Sequence, residues 1–164
     1  MTLEDLTNAL KSSDAPAAML QAGVEQSDAL APSVLRLAEA FCRGVYLIPG
    51  DSELLFHGLH VLAAAKHPGL YEHLLGMARL PEDELDLLFP LHASTSLTRL
   101  ILSVWDGDTD ALFAMIEDKA LTSEARWALF DVIARLTFDG RIPCDGTRAC
   151  LERRKRDHLI DGDD

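Results

Sequence analysis

Helix-breaking residues fall at short intervals along this chain, and they limit what it can build. Gly23, Gly44, Pro68, Pro81, Pro90, Gly107, Gly140 and Pro143 divide its 164 residues into brief segments. Glycine ends helices because it adopts the left-handed backbone freely, and proline starts or stops them because it lacks an N–H. Between these breaks the apolar residues recur three, four and seven apart, the spacing of one helix face. Nowhere do 18 apolar residues run together, the least that a membrane-spanning helix needs.

The segments read as helices one by one. Thr2 offers a cap with Asp5 three residues on, followed by Leu3, Leu6 and Leu10. Asp14 and Pro16 start a second helix that ends at Gly23, and a third runs from Ser27 or Asp28 to Arg43. Gly44-Val45-Tyr46-Leu47-Ile48-Pro49-Gly50 is the one stretch suited to an extended backbone. Asp51 caps a helix carrying Leu55, Leu59 and Leu62, and Pro68 and Pro81 open the next two. Leu97, Leu100, Ile101 and Val104 mark another, followed by a turn at Asp106-Gly107-Asp108 and a helix with Leu112, Met115 and Ile116. Thr122 or Ser123 caps the next, whose stripe of Trp127, Phe130, Ile133, Ala134 and Phe138 reads as core. Pro143 starts a last helix reaching about His158.

Composition agrees. Leu (29) and Ala (21) are strong helix formers and greatly outnumber Val and Ile (12 together), so a sheet-dominated fold is not expected. Some of the spacing repeats. Leu55, Leu59 and Leu62 recur 42 positions later as Leu97, Ile101 and Val104. Leu74 and Leu75 recur 41 later as Met115 and Ile116, and Leu97, Leu100, Ile101 and Val104 recur 32 later as Leu129, Val132, Ile133 and Leu136. Short loops force neighbouring helices antiparallel, and such periods suit stacked helix pairs. The expected fold is all-α, a right-handed superhelix of antiparallel helix pairs in the HEAT or armadillo manner. One domain spans 1–158, with an acidic tail over 159–164.

Net charge is −12, all of it within residues 1–147, since 148–164 hold five acids and five bases. An acidic body repels polyanions, so nucleic acid is not expected as a partner. Arg153-Arg154-Lys155-Arg156 is the only basic run and reads as a solvated helix end. Cys42, Cys144 and Cys150 form no Cys-x-x-Cys, which argues against a zinc knuckle and for a reducing, cytoplasmic setting. The start, Met1 to Leu10, has no basic region leading into an apolar stretch, so no signal peptide is expected.

Leu102-Ser103-Val104-Trp105-Asp106-Gly107-Asp108, with Met115 to Asp118, Glu124 to Leu129 and Asp139-Gly140-Arg141-Ile142, forms a distinctive set. With Val61 to Lys66, Tyr71, Leu74 and Leu80-Pro81, it resembles the bacterial domain-of-unknown-function 1186 family over most of residues 51–142. The resemblance implies a HEAT-like helical array and no established activity. Longer members of that family continue into a cysteine-rich, metal-binding tail. Nothing in this sequence matches that tail, so its metal site is not carried over.

Several constellations invite chemistry. Asp106, Asp108, Asp110 and Glu117 stand at positions 1, 3, 5 and 12 of a would-be EF-hand loop, but Ala111 occupies position 6, where glycine must turn the chain. A helix capped by Asp108 is the better reading, and calcium binding is not expected. Glu53, His57 and His60 project from one helix flank and would need a third close ligand to hold a metal. Glu82, Asp83, Glu84 and Asp86 suit a helix start, and with Trp105, Asp106, Asp108 and Asp110 they are the candidate partner-binding residues. No phosphate loop, dinucleotide fingerprint or nucleophile elbow occurs.

The expected function is therefore a non-enzymatic binding module without a cofactor, acting on a protein, one with a basic surface among the candidates, and on neither nucleic acid nor membrane. The alternative is an acidic inhibitor or immunity-type protein masking a basic partner. A metal-dependent enzyme using the His57/His60 face comes third.

Overall fold

The computed structural model describes residues 1–90 and 93–156, and every regular element among them is an α-helix. In order these are α1 (Leu3–Leu10), α2 (Ala17–Glu25), α3 (Ser27–Cys42), α4 (Pro49–Ala64) and α5 (Leu70–Met77). They continue with α6 (Glu82–Leu88), α7 (Ala93–Val104), α8 (Thr109–Glu117), α9 (Ser123–Phe138) and α10 (Cys144–Arg156). The all-α reading holds. The segment expected beyond Arg156 and the tail over 159–164 lie outside the described residues.

Most of the punctuation acts as read. Thr2 accepts from the Asp5 amide while the Asp5 carboxylate accepts from the Thr2 amide, closing a capping box on α1. Gly44 and Gly140 take the left-handed backbone just past α3 and α9, with φ of +73° and +71°. Thr122 caps α9 by accepting from the Ala125 amide. Two expectations fail. Gly23 does not end α2: the helix runs on to Glu25, and Gly23 is buried against Val61 of α4, where a Cβ would lie 3.1 Å from both γ-methyls. Asp51 does not cap α4, because Pro49 already supplies its first turn; Asp51 instead pairs with Lys11 at 3.1 Å. Gly44 to Ile48 forms an irregular link that leaves Val45, Tyr46 and Ile48 exposed.

The helix contacts trace two rows. One runs α2–α4–α7–α9; the other is carried from α3 to α5 by packing, and then by polar links to α8 and α10. Those links are the Tyr71 hydroxyl donating to the Asp108 carbonyl at 3.4 Å and an Arg79–Asp118 ion pair at 3.6 Å. Arg154 then donates from α10 to the Ile116 carbonyl. Buried apolar side chains form one cluster from Leu6 to Cys150. All the repeated positions lie in it, including Leu97, Leu100, Ile101 and Val104 with their counterparts Leu129, Val132, Ile133 and Leu136. Burying Leu, Ile and Val side chains at about 1.5–3 kcal/mol each is what holds so short a set of helices together.

Two buried arginines complete the C-terminal half. Arg126 of α9 donates to the Asp118 and Leu121 carbonyls at 2.9 and 3.0 Å. Arg154, fully buried, donates to the Ile116 and Glu117 carbonyls, and Arg153 pairs with Glu117 at 2.7 Å. The reading of Arg153 to Arg156 as a solvated helix end is thus corrected at Arg154. The last carbonyls of α8 have no partner within their own helix, and a guanidinium fork from the next helices satisfies them.

Candidate functional site

The register between α7 and α9 decides what α9 shows to solvent. The Thr98 hydroxyl donates to the Ala128 carbonyl at 3.2 Å, and Leu129, Val132, Ile133 and Leu136 turn inward. The 32-residue repeat thus aligns two parallel helices of the same row. That choice expels the other apolar stripe of α9. Trp127 is 65% exposed and Phe138 92%, and Ala134 is exposed between them. The expectation that Trp127, Ala134 and Phe138 belong to the core is overturned: two apolar stripes compete for one buried face, and the one matching α7 wins. Trp127 makes an edge-on contact with Phe130, ring centroids 5.7 Å apart.

Three hollows lie along this α7–α9 seam. At one end, Glu82, Leu85 and Asp86 of α6 meet Ser94 and Thr95 of α7 and Glu124 of α9 around a hollow of about 190 Å³. Next, Thr95, Thr98, Trp127, Ala128 and Asp131 line a shallow groove of about 300 Å³. Beyond it, Leu102, Ser103, Ala134, Arg135, Phe138, Asp139 and Arg141 line a wide, open one of about 760 Å³.

Charge is graded along the seam. Glu82, Asp86 and Glu124 gather at the α6 end and form no ion pair among the described residues. Asp131 is engaged by Arg135 at 3.1 Å. At the far end the Arg141 guanidinium lies 4.7 Å over the Trp105 ring, a cation–π contact.

The acids and the aromatic residue read from the sequence divide accordingly. Glu82 and Asp86 join the seam; Asp83 is exposed and Glu84 half-buried on the same short helix. Trp105 reaches the far end only through Arg141, with its Nε1 donating to the Asp108 carbonyl at 3.4 Å. Asp106 accepts from the Asp108 amide, and Asp108 caps α8 by accepting from the Ala111 amide at 2.9 Å, which leaves Asp110 exposed beside them. Glu117 faces α10 and takes Arg153, away from that turn. Tyr71 lies buried under these acids, and burial first, then Asp106 and Asp108, pushes its phenol well above its ordinary range.

Glu53, His57 and His60 do not converge. His57 turns inward rather than along the flank, its Nδ1–H donating to the Leu10 carbonyl at 3.0 Å, and so satisfies the orphaned end of α1. His60 points outward with its ring edge against Phe56; desolvation, then His57, holds its imidazole below the usual value. Glu53 sits beside Phe56 and Leu88. Among the described residues no three His, Cys, Asp or Glu side chains gather as a metal site. Burial raises the Cys42 and Cys150 thiols, which disfavours the thiolate needed for nucleophilic work. No family model, curated protein or solved structure matches the chain.

Glu124, Asp131 and Phe138 are the seam residues that sequence reasoning passed over as site members. The signal was present in α9, where positions 127, 134 and 138 and positions 129, 132, 133 and 136 are apolar on different sides.

Proposed function

We propose that this protein is a non-enzymatic helical-repeat module, a right-handed stack of helix pairs that binds another protein along the α7–α9 seam. The observation that carries the reading is the exposure of Trp127 and Phe138, each lining a groove beside the α7–α9 seam. Large aromatic rings left in water are costly unless a partner covers them, and such rings dominate binding energies at interfaces. The motif resemblance to the domain-of-unknown-function 1186 family supports the helical-array part of the reading and supplies no activity. Three scattered cysteines, two of them with raised thiol pKa values, suit a reducing cytoplasm.

A second reading, an acidic inhibitor that masks a basic partner, draws support from Glu82, Asp86 and Glu124, which form no ion pair among the described residues, at one end of the seam. Both readings use the same face. Chemical cross-linking in the source cell, followed by purification, tests them. The wild-type chain recovers a partner that Trp127→Ala/Phe138→Ala loses, although the double variant keeps its helical circular dichroism and melting temperature. A partner retained at full yield by that variant would remove the seam from the function.

A further inference from the structure

We infer that the segment received by the α7–α9 seam is a basic amphipathic helix of about three turns, its cationic end resting on Glu82, Asp86 and Glu124. The inference rests on the binding-module reading and names the partner's chemistry.

Length comes from the two exposed rings. Trp127 and Phe138 are 11 residues apart on one helix, about 17 Å at 1.5 Å per residue, so a partner helix of three turns touches both. Between them lie Ala134, Ser103 and Leu102 beside the exposed Asp131–Arg135 ion pair, with Ala128 buried below. Ala134 lets a second helix approach closely, and aliphatic side chains one turn apart then fit beside it between the rings.

Backbone chemistry selects a helix over an extended strand. α7 and α9 spend their own N–H and C=O groups on internal bonds and offer no sheet edge. An extended peptide laid against Trp127 and Phe138 would bury backbone groups without partners, whereas a helix brings its bonds with it.

Charge selects the sign and the direction. Three acids that form no ion pair among the described residues favour Lys or Arg at the α6 end, while at the other end Arg135 is held by Asp131 and Arg141 stands with Asp139, so no comparable excess of acid faces a cation there. A second copy of this chain does not supply such a helix. The most basic helix among the described residues, α10, has Arg154 buried and Arg153 tied to Glu117, and the sequence Cys144–Arg156 carries no apolar stripe.

The test uses the full chain and three labelled synthetic peptides of about 14 residues, four turns long. All share one leucine stripe. The first has three lysines at one end, the second has three glutamates in their place, and the third keeps the lysines but carries a central proline. Fluorescence anisotropy is read at about 50 and 500 mM salt, which spans strong to weak screening of surface charge. The lysine peptide binds saturably and at least tenfold tighter than either other peptide. Glu82→Gln/Asp86→Asn/Glu124→Gln weakens it at least tenfold, Trp127→Ala/Phe138→Ala abolishes it, and the remote set Glu4→Gln/Asp14→Asn/Glu25→Gln changes it less than twofold. Absence of saturable binding by the lysine peptide overturns the inference. So do equal losses from the remote and seam sets, equal binding of the proline or glutamate peptide, or seam-dependent self-association in sedimentation without peptide. If the peptides fail while the cross-linked partner still depends on Trp127 and Phe138, the helix inference falls and the module reading stands. If both fail, both fall.

Discussion

Gly58 sits in the middle of α4 directly over Val34 of α3, where a side chain would have less room than at any other glycine among the described residues, and replacing it with alanine tests that contact. A Cβ built there lies 2.4 and 2.9 Å from the two γ-methyls of Val34 and 3.2 Å from its Cβ. Carbon atoms prefer about 3.5–4.0 Å, so the overlap with the nearer methyl exceeds an ångström. Valine in a helix has essentially one rotamer, so it cannot swing aside. The two helices must part instead, loosening Leu30, Leu37, Leu55 and Leu62 around them. Overpacking of this kind costs about 1–3 kcal/mol, and the upper end applies because three atoms crowd the new methyl. Alanine recovers about 1 kcal/mol of helix propensity, leaving a net loss near 2 kcal/mol. For a chain of this size that lowers the melting temperature by about 4–8 °C. Urea titration and thermal melts of Gly58→Ala, Val34→Ala and the double variant form a cycle. In the Val34→Ala background the clash is gone, so Gly58→Ala becomes neutral or stabilising, and the coupling reaches about 2–3 kcal/mol. A Gly58→Ala chain as stable as the wild type, or a double variant whose losses simply add, would refute the argument.

Other expectations follow from single contacts. Trp127→Ala costs less than about 1 kcal/mol in urea titration, because its ring is mostly in water rather than in the core. Arg154→Ala costs at least about 2 kcal/mol, since it removes the donors on the Ile116 and Glu117 carbonyls and leaves a cavity, whereas exposed Arg156→Ala stays within about 0.5 kcal/mol. Tyr71 gives a pH signature. Its phenol ionises near 10 when unfolded but higher when folded, so its stabilisation is whole below that pH and is lost above it, by up to about 1.4 kcal/mol per pH unit. Unfolding midpoints measured between about pH 9 and 11 should fall less steeply for Tyr71→Phe than for the wild type, with Cys42 and Cys150 contributing the remaining slope.

Local chemistry made most of the helices legible, because each signal is complete within a few residues. Thr2 with Asp5, Thr122 with Ala125, and the glycines at 44 and 140 need no tertiary information to act. The core was readable where one stripe alone was apolar, as in α7. It was misread in α9, where two stripes exist and only packing against α7 chooses between them. Arg126, Arg154 and His57 were illegible for a related reason. Each is a polar residue whose burial depends on a carbonyl delivered from outside its own helix, and no spacing in its own segment announces that carbonyl. The candidate site inherits this division. Glu82 and Asp86 stand out as a local acidic run, while Trp127 and Phe138 become visible only once the register of α9 is known.

The same distinction separates acids that build the molecule from acids that face outward. Asp106 and Asp108 satisfy backbone amides, Glu117 and Asp118 take Arg153 and Arg79, Asp51 takes Lys11, and Asp131 takes Arg135. These charges are used locally, so their contribution to any long-range field is partly cancelled by the groups they hold. Glu82, Asp86 and Glu124 form no ion pair among the described residues, and they line one hollow, where their fields add. The net −12 is therefore a poor guide to where a cationic partner first arrives. A charge opposite three close, uncompensated carboxylates is steered more strongly than one opposite a larger number of paired ones. The hollow opens onto Trp127 within one turn of α9, so a segment drawn in by charge meets the first exposed ring as it docks. Electrostatic capture at the α6 end followed by apolar contact towards Phe138 is the order that this placement favours, with salt slowing the first step and leaving the second largely intact.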